Sequence, residues 1–211
     1  MTPTQHLPEA IYSLYEVHNF RHAAEVLSTS CPNEFEELCA ALAAFRLTIA
    51  DITAPGGNES TIPKLVAKLL RPHGWYETRI RGDLVVTIET HTDLGLEKAE
   101  HRIDNFLDGH KVDFVKNGVA FDLEWNSKDQ TFDRDLYAFR AFHEAGVISA
   151  AVLLTRSASL NPVFKRLGVL SKYGASTTWM GKLLYRMNAG RNGGCPVLVL
   201  GITPNLIEDF S

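Results

Sequence analysis

Helical and strand periods of apolar residues divide the chain into an α/β order. Phe35, Leu38, Cys39, Leu42 and Phe45 recur at helical spacing, so residues 34–50 are expected to form a helix that starts near Pro32-Asn33. The pattern over 10–18 fits a strand or a short helix alike. Pro, Gly and Asn cluster over 51–60, which reads as a loop, and 62–71 reads as a short basic helix with Pro63 in its first turn. Residues 75–90 hold two β-rich runs around Arg81-Gly82-Asp83, expected as a hairpin or edge ribbon, and 94–107 reads as a loosely amphipathic helix.

The second half is more sharply patterned. Residues 112–125 read as two strands, and 132–145 as a helix stopped by Gly146. Leu136, Tyr137, Phe139 and Phe142 surround its axis broadly, which suits a dimer interface or burial between sheet and neighbouring helix. Residues 147–155 and 197–202 are near-continuous apolar strands, as in a sheet covered on both faces. Between them 176–189 reads as a helix capped by Ser176 or Thr177, so the order strand, helix, strand implies a parallel crossover. The expectation is one domain over 1–211, with a mixed central β-sheet flanked by helices. Residues 1–58 form an N-terminal helical and strand subregion, and 60–204 hold the main core.

Charge narrows the functions. The 211 residues carry 21 Lys and Arg against 25 Asp and Glu, a net charge of −4, whereas a general electrostatic binder of nucleic acid is usually basic. Any such role needs a local basic surface, or a cation that cancels acidic charge. Cys31, Cys39 and Cys195 are odd in number and widely spaced, which excludes a disulfide framework and suits a reducing compartment. No Cys/His zinc spacing is present. No signal-peptide pattern opens the chain and no run of eighteen apolar residues occurs, so a cytoplasmic protein without a membrane span is expected.

The candidate chemistry lies at 113–124. Asn117-Gly118 is a strong two-residue hairpin signal. That turn pairs Lys116 with Val119, Val115 with Ala120, Phe114 with Phe121 and Asp113 with Asp122. Directly opposed residues share a face with Cβ atoms roughly 5 Å apart. Alternation then puts Val119, Phe121, Leu123 and Trp125 on one face and Ala120, Asp122 and Glu124 on the other. Asp113, Asp122 and Glu124 thus converge on one patch, which costs stability unless a cation or protons neutralise it. Hard oxygen ligands without His or Cys suit Mg²⁺, Mn²⁺ or Ca²⁺. The plainer alternative is a solvated sheet face lined with acids.

An acid, a turn, then acid-x-acid on the next strand resembles the PD-(D/E)XK nuclease core, with Val112-Asp113 as its first half and Asp122-Leu123-Glu124 as its second. The first half lacks the motif's Pro, and Glu124 stands where Lys is usual. Beyond the motif, IPKLVAKLLRPHGWYETR, DFVKNGVAFDLEW, the Gly-Ala-Ser-Thr-Thr stretch, GRNGG and PVLVLGITP resemble, in order over roughly 60–204, the BglII/BstYI group of type II restriction endonucleases. The resemblance implies a homodimer that cuts both strands of duplex DNA with Mg²⁺ at a two-fold symmetric site, often with a GATC core. It also implies a cognate DNA methyltransferase in the same system. That group carries Glu at the position of Asp122 and Gln at that of Glu124, so the identity of the base is open; acid-x-acid matches the related BamHI.

The expected reaction is phosphodiester hydrolysis. Asp113, Asp122 and the Leu123 carbonyl would hold Mg²⁺ (Mn²⁺ as a substitute), and Glu124 would orient or deprotonate the attacking water. Lys128 is either a phosphate contact or an ordinary exposed lysine. Asn126, with Lys128, belongs to a polar loop that leads into a helix or meets DNA. Ser171, Lys172, Tyr173, Ser176, Thr177 and Thr178 form a stretch dense in hydrogen-bonding groups, assigned to DNA by the resemblance; capping by Ser176 or Thr177 is the alternative. Lys182, Arg186 and Arg191 would add a basic stripe, and Lys64, Lys68, Arg71, Arg79 and Arg81 form a second basic region. Two competing readings remain: a repair or nicking nuclease of the same superfamily, and a non-catalytic DNA-binding or interaction protein whose acids hold a structural cation.

Overall fold

The molecule is built on a mixed sheet of six strands in the order β1-β6-β5-β4-β3-β2, seen in a computed structural model that describes residues 6–55 and 61–210. The strands are β1 Tyr15–Phe20, β2 Tyr76–Thr92, β3 Gly95–Lys116, β4 Val119–Glu124, β5 Ala150–Arg156 and β6 Val197–Ile202. The helices are α1 Glu9–Leu14, α2 Ala23–Ser30, α3 Pro32–Ala44, α4 Ile49–Thr53, α5 Thr61–Leu70, α6 Thr131–Glu144, α7 Asn161–Arg166 and α8 Met180–Asn188. Strands β4, β5 and β6 run parallel, while β1, β3 and β2 are added antiparallel. The expected crossover is present between β5 and β6. The expected loop over 51–60 is helical as far as Thr53, and 56–60 lie outside the described residues.

The apolar runs are strands because both sheet faces are covered. Phe121, Leu123, Val152, Leu154, Leu198 and Leu200 pack into a core with the N-terminal helices. On the other face Ala120, Ala151, Leu153, Val197 and Val199 pack against Phe132, Leu136, Phe139 and Phe142 of α6 and Leu183 and Met187 of α8. The broad apolar girth of α6 is thereby explained: Leu136, Phe139 and Phe142 are buried within this chain, and only Tyr137 of the four stays exposed. Residues 10–18 contain both alternatives, since α1 ends at Leu14 and β1 begins at Tyr15. The helix expected over 34–50 stops at Ala44, and α4 starts separately behind a Thr48-Asp51 capping box.

Two expectations fail. Residues 94–107 are not a helix but part of β3, which pairs with β2 from Thr92/Gly95 down to Tyr76/Val115. Of the two alternatives for 75–90 the edge ribbon is formed, not the hairpin: from Tyr76 on, the two runs are one long edge strand with irregularities around Gly82. Along this arm Lys98 pairs with Glu89, and Arg102 with Asp83, across the strands. Backbone pairing over that length outweighs the weak local helix preference. Helix α8 begins at Met180, and neither Ser176 nor Thr177 caps it. Among the described residues no helix is long and apolar enough to cross a membrane.

Candidate active site

The β3–β4 turn forms as the sequence demands. Asn117 and Gly118 have φ of 44° and 80°, both in the left-handed region that a two-residue hairpin turn requires. The tip is fastened to α3: Asn117 Nδ2 donates to Glu34 Oε1 at 2.7 Å, and Lys116 Nζ donates to Glu37 Oε2 at 2.7 Å. The ladder has the expected register at Lys116/Val119, Val115/Ala120 and Phe114/Phe121. At Asp113 and Asp122 the side chains take over from the backbone. The Asp113 N–H donates to Asp122 Oδ1 at 2.7 Å, and the Leu123 N–H donates to Asp113 Oδ2 at 3.2 Å. The two carboxylates therefore lie across the same strand pair, each held by the other's strand.

Strand β4 is central, so its polar residues are buried. Asp122 is 5% exposed and Glu124 8%. They share the face of Ala120, which α6 covers. A fourth acid meets them there: Asp135 of α6 is 1% exposed. Its Oδ1 accepts from Arg134 Nη2 at 3.1 Å and lies 3.7 Å from His110 Nε2. Arg134 Nη2 also stands 3.8 Å from Glu124 Oε1. The sequence carried a usable signal for Asp135 that the motif reading missed. Phe132, Asp135, Leu136 and Phe139 follow i, i+3, i+4, i+7 spacing, so Asp135 sits inside the apolar stripe of α6.

Four acids on one face with little water disfavour ionisation. Desolvation is the largest cause for Asp122, whose carboxyl is held well above the ordinary range, and the charges of Asp135 and Asp113 push it further. Glu124 is pushed up to about 7 by desolvation and then by Asp135, against hydrogen bonds from Ser127 and Thr131 that lower it. Asp113 keeps solvent exposure as a residue, yet its carboxyl is turned towards the Leu123 N–H and is also raised, first by desolvation.

The donor chemistry fits a hard divalent cation. Asp122 Oδ2, Glu124 Oε2 and Asp135 Oδ2 are buried without a hydrogen-bond partner, and unneutralised buried carboxylates are costly. Asp113, Asp122 and the Leu123 carbonyl, with Glu124 beside them, are the residues able to hold one. Among the described residues no three His, Cys, Asp or Glu side chains are already drawn together as a ligand cluster. One oxygen each of Asp113 and Asp122 is engaged by backbone N–H instead.

Past Glu124 two loops are joined. The Asp129 N–H donates to the Ser176 carbonyl at 3.0 Å, the Thr178 N–H donates to the Ser127 carbonyl at 2.9 Å, and Lys128 bridges Thr177. The polar stretch after β4 and that before α8 are thus one surface beside the acids, with Lys128, Ser171 and Ser176 exposed. Several of the residues expected on DNA are instead engaged within the chain. Lys172 Nζ donates to the Ile52 carbonyl at 3.0 Å and also to that of Ala54. Tyr173 is buried against Phe164, its hydroxyl donating to the Ile52 carbonyl at 2.8 Å. Asn126 Nδ2 donates to the Lys172 carbonyl at 3.2 Å, Thr177 accepts from Arg156, and Thr178 is buried. The stripe of α8 is partly neutralised: Lys182 lies 3.4 Å from Asp129, Arg186 2.9 Å from Asp133, and Arg191 pairs with Asp133 as well.

No curated protein matches the chain. The sequence model of the family described as restriction endonuclease BglII/BglIII does match, from Tyr15 at the start of β1 to Ile202 at the end of β6, and so takes in every strand of the sheet together with the buried acids. With that match over residues 15–202, the chain belongs to the BglII/BglIII restriction endonuclease family.

Proposed function

We propose that the protein is a type II restriction endonuclease that hydrolyses both strands of duplex DNA at a short palindromic site, with Mg²⁺ as its cofactor. The family makes DNA the substrate and nuclease the class of activity. The observation that carries the reading is the pair Asp122 and Glu124, buried on the central strand with unpartnered oxygens and raised pKa values. A fold that only needed a sheet would fill those positions with apolar residues.

Asp113, Asp122 and the Leu123 carbonyl hold the ion, with Mn²⁺ as a substitute. A bound divalent ion supplies Lewis acidity and charge neutralisation at the phosphate. Glu124 orients the attacking water and takes its proton; without the ion, burial and then Asp135 push its carboxyl up to about 7, and a cation beside it draws that value back down. Lys128, Ser171 and Ser176 lie exposed on the joined loop surface beside the acids and are the first candidates for DNA contact, while the Thr177 hydroxyl is held by Arg156 and Gly174. Lys182, Arg186 and Arg191 reach phosphates to the extent that Asp129 and Asp133 release them. Asn126, Lys172, Tyr173 and Thr178 act chiefly by holding that surface in place.

A homodimer matches the two-fold symmetry of a palindromic site. Helices α6 and α8 pack side by side, and each leaves a tyrosine out, Tyr137 at 52% and Tyr185 at 67% exposure, which supports this side of the sheet as the interface. A GATC core, a cognate methyltransferase and a cytoplasmic location belong to the same reading. The test is Asp122→Ala: cutting in Mg²⁺ is lost while binding of the same DNA stays largely intact. Full activity in that variant would remove the site assignment. Stabilisation by Ca²⁺ with no cutting in Mg²⁺ by the native chain would instead favour a binding protein with a structural cation.

A further inference from the structure

Arg134 is the only Lys or Arg among the described residues that pairs with any of the four acids. Its two acidic neighbours are sequestered, with side-chain exposures of 1% for Asp135 and 10% for Glu124, yet Arg134 itself is 58% exposed. Asp135 holds it from behind, taking Nε at 3.2 Å and Nη2 at 3.1 Å on one oxygen. Nη1 makes no hydrogen bond within the described residues. Guanidinium presents five N–H donors in a fixed planar fork, so much of its donor capacity faces away from Asp135. An exposed cation pinned at the mouth of an acid cluster is better matched to an anion that arrives from solvent.

We propose that Arg134 is a catalytic residue, its guanidinium donating to a nonbridging oxygen of the phosphate being cut, with Asp135 as the residue that positions it. This rests on the nuclease reading above. In the step itself the water oxygen bonds to phosphorus, and the water's proton passes to Glu124. The bond from phosphorus to the 3′-oxygen breaks, and that oxygen keeps the electron pair until solvent protonates it. Arg134 exchanges no proton. It supplies hydrogen bonds that strengthen as charge builds on the phosphoryl oxygens, the kind of positioned donor whose loss typically lowers a rate by about 10²–10³-fold.

The test uses the full chain and a duplex that holds the cleavage site mapped from the native protein. Single-turnover cutting in Mg²⁺ is compared with DNA binding in Ca²⁺ and with thermal melting. Arg134→Ala is expected to slow cutting about 100-fold or more, while DNA affinity changes less than about threefold; thermal melting shows that the variant is folded at the assay temperature, its midpoint lowered by the loss of the partner of Asp135. Arg134→Lys restores part of the rate, as a point charge without the fork. Asp135→Asn slows cutting less than Arg134→Ala, and the double variant loses less than the product of the two single losses; the pH profile of cutting is read alongside, because Asp135 also raises the Glu124 carboxyl. Should Arg134→Ala not fold, Arg134→Gln is read in its place. Cutting within threefold of native, or equal losses of rate and affinity, overturns the role of Arg134 while leaving the nuclease reading intact. Failure of the native chain to cut any DNA defeats that reading instead, and this inference with it.

Discussion

Replacing Glu124 with Gln should stabilise the metal-free protein, and more so as pH rises. The carboxyl ionises near 4.5 in an ordinary setting and at about 7 in the fold, mainly because burial removes water from it. Between those values the folded state binds more protons than the unfolded one, so stability falls as pH rises through that window. Above pH 7 the whole cost of holding a buried carboxylate is present. At about 1.4 kcal/mol per pKa unit, that cost is on the order of 3 kcal/mol at pH 8 and under about 1 kcal/mol at pH 5. Gln keeps the shape and an acceptor oxygen for Ser127 and Thr131 but carries no charge. Urea unfolding in EDTA at both pH values measures the difference, and the midpoint of Glu124→Gln should move up by roughly 1 M or more at pH 8. A variant no more stable than the native chain at pH 8, or stabilised equally at both pH values, would refute the claim that this carboxyl is held under electrostatic strain.

Two further substitutions probe how the site is held. Gly118→Ala meets only ordinary contacts, the nearest being Ser149 Oγ at 3.6 Å, so its cost of about 1–2 kcal/mol comes from the φ of +80°. Chemical denaturation reads that loss, and cutting should slow because the turn sets Asp113 across from Asp122. Arg186→Ala removes the buried partner of Asp133 and should cost about 2 kcal/mol in the same assay, Arg191 remaining to pair with that part-exposed acid.

Much of the candidate site was legible because it depends on local rules. Asn117-Gly118 admits the positive φ values of a tight turn, and a tight turn fixes register as far as Phe114/Phe121, so the meeting of Asp113 with Asp122 follows from one hairpin. A solvated face was the alternative in sequence; the burial of Asp122 and Glu124 follows from the packing of α6 over β4. Asp135 was missed because it comes from a different element: its place in the stripe of α6 shows that it turns inward, but only the packing of α6 on β4 shows what it meets. The arm was misread for a related reason. A stretch such as LGLEKAEHRIDNFL carries helix-forming residues, and its true partner, β2, is identified by pairing rather than by its own period. Lys172 and Tyr173 likewise look like surface residues in sequence, and only the position of the α4 carbonyls makes them internal donors.

If these acids cut DNA at a defined sequence with a divalent cation, the native chain alone must do so. This is tested most directly by incubating the purified full chain with unmethylated plasmid and phage DNA, in Mg²⁺ or in EDTA. Discrete fragments are expected in Mg²⁺ and none in EDTA, with fragment ends that share one short palindrome. Uncut DNA across several unmethylated and methylated substrates in Mg²⁺, or a smear without common ends, would contradict the proposed activity.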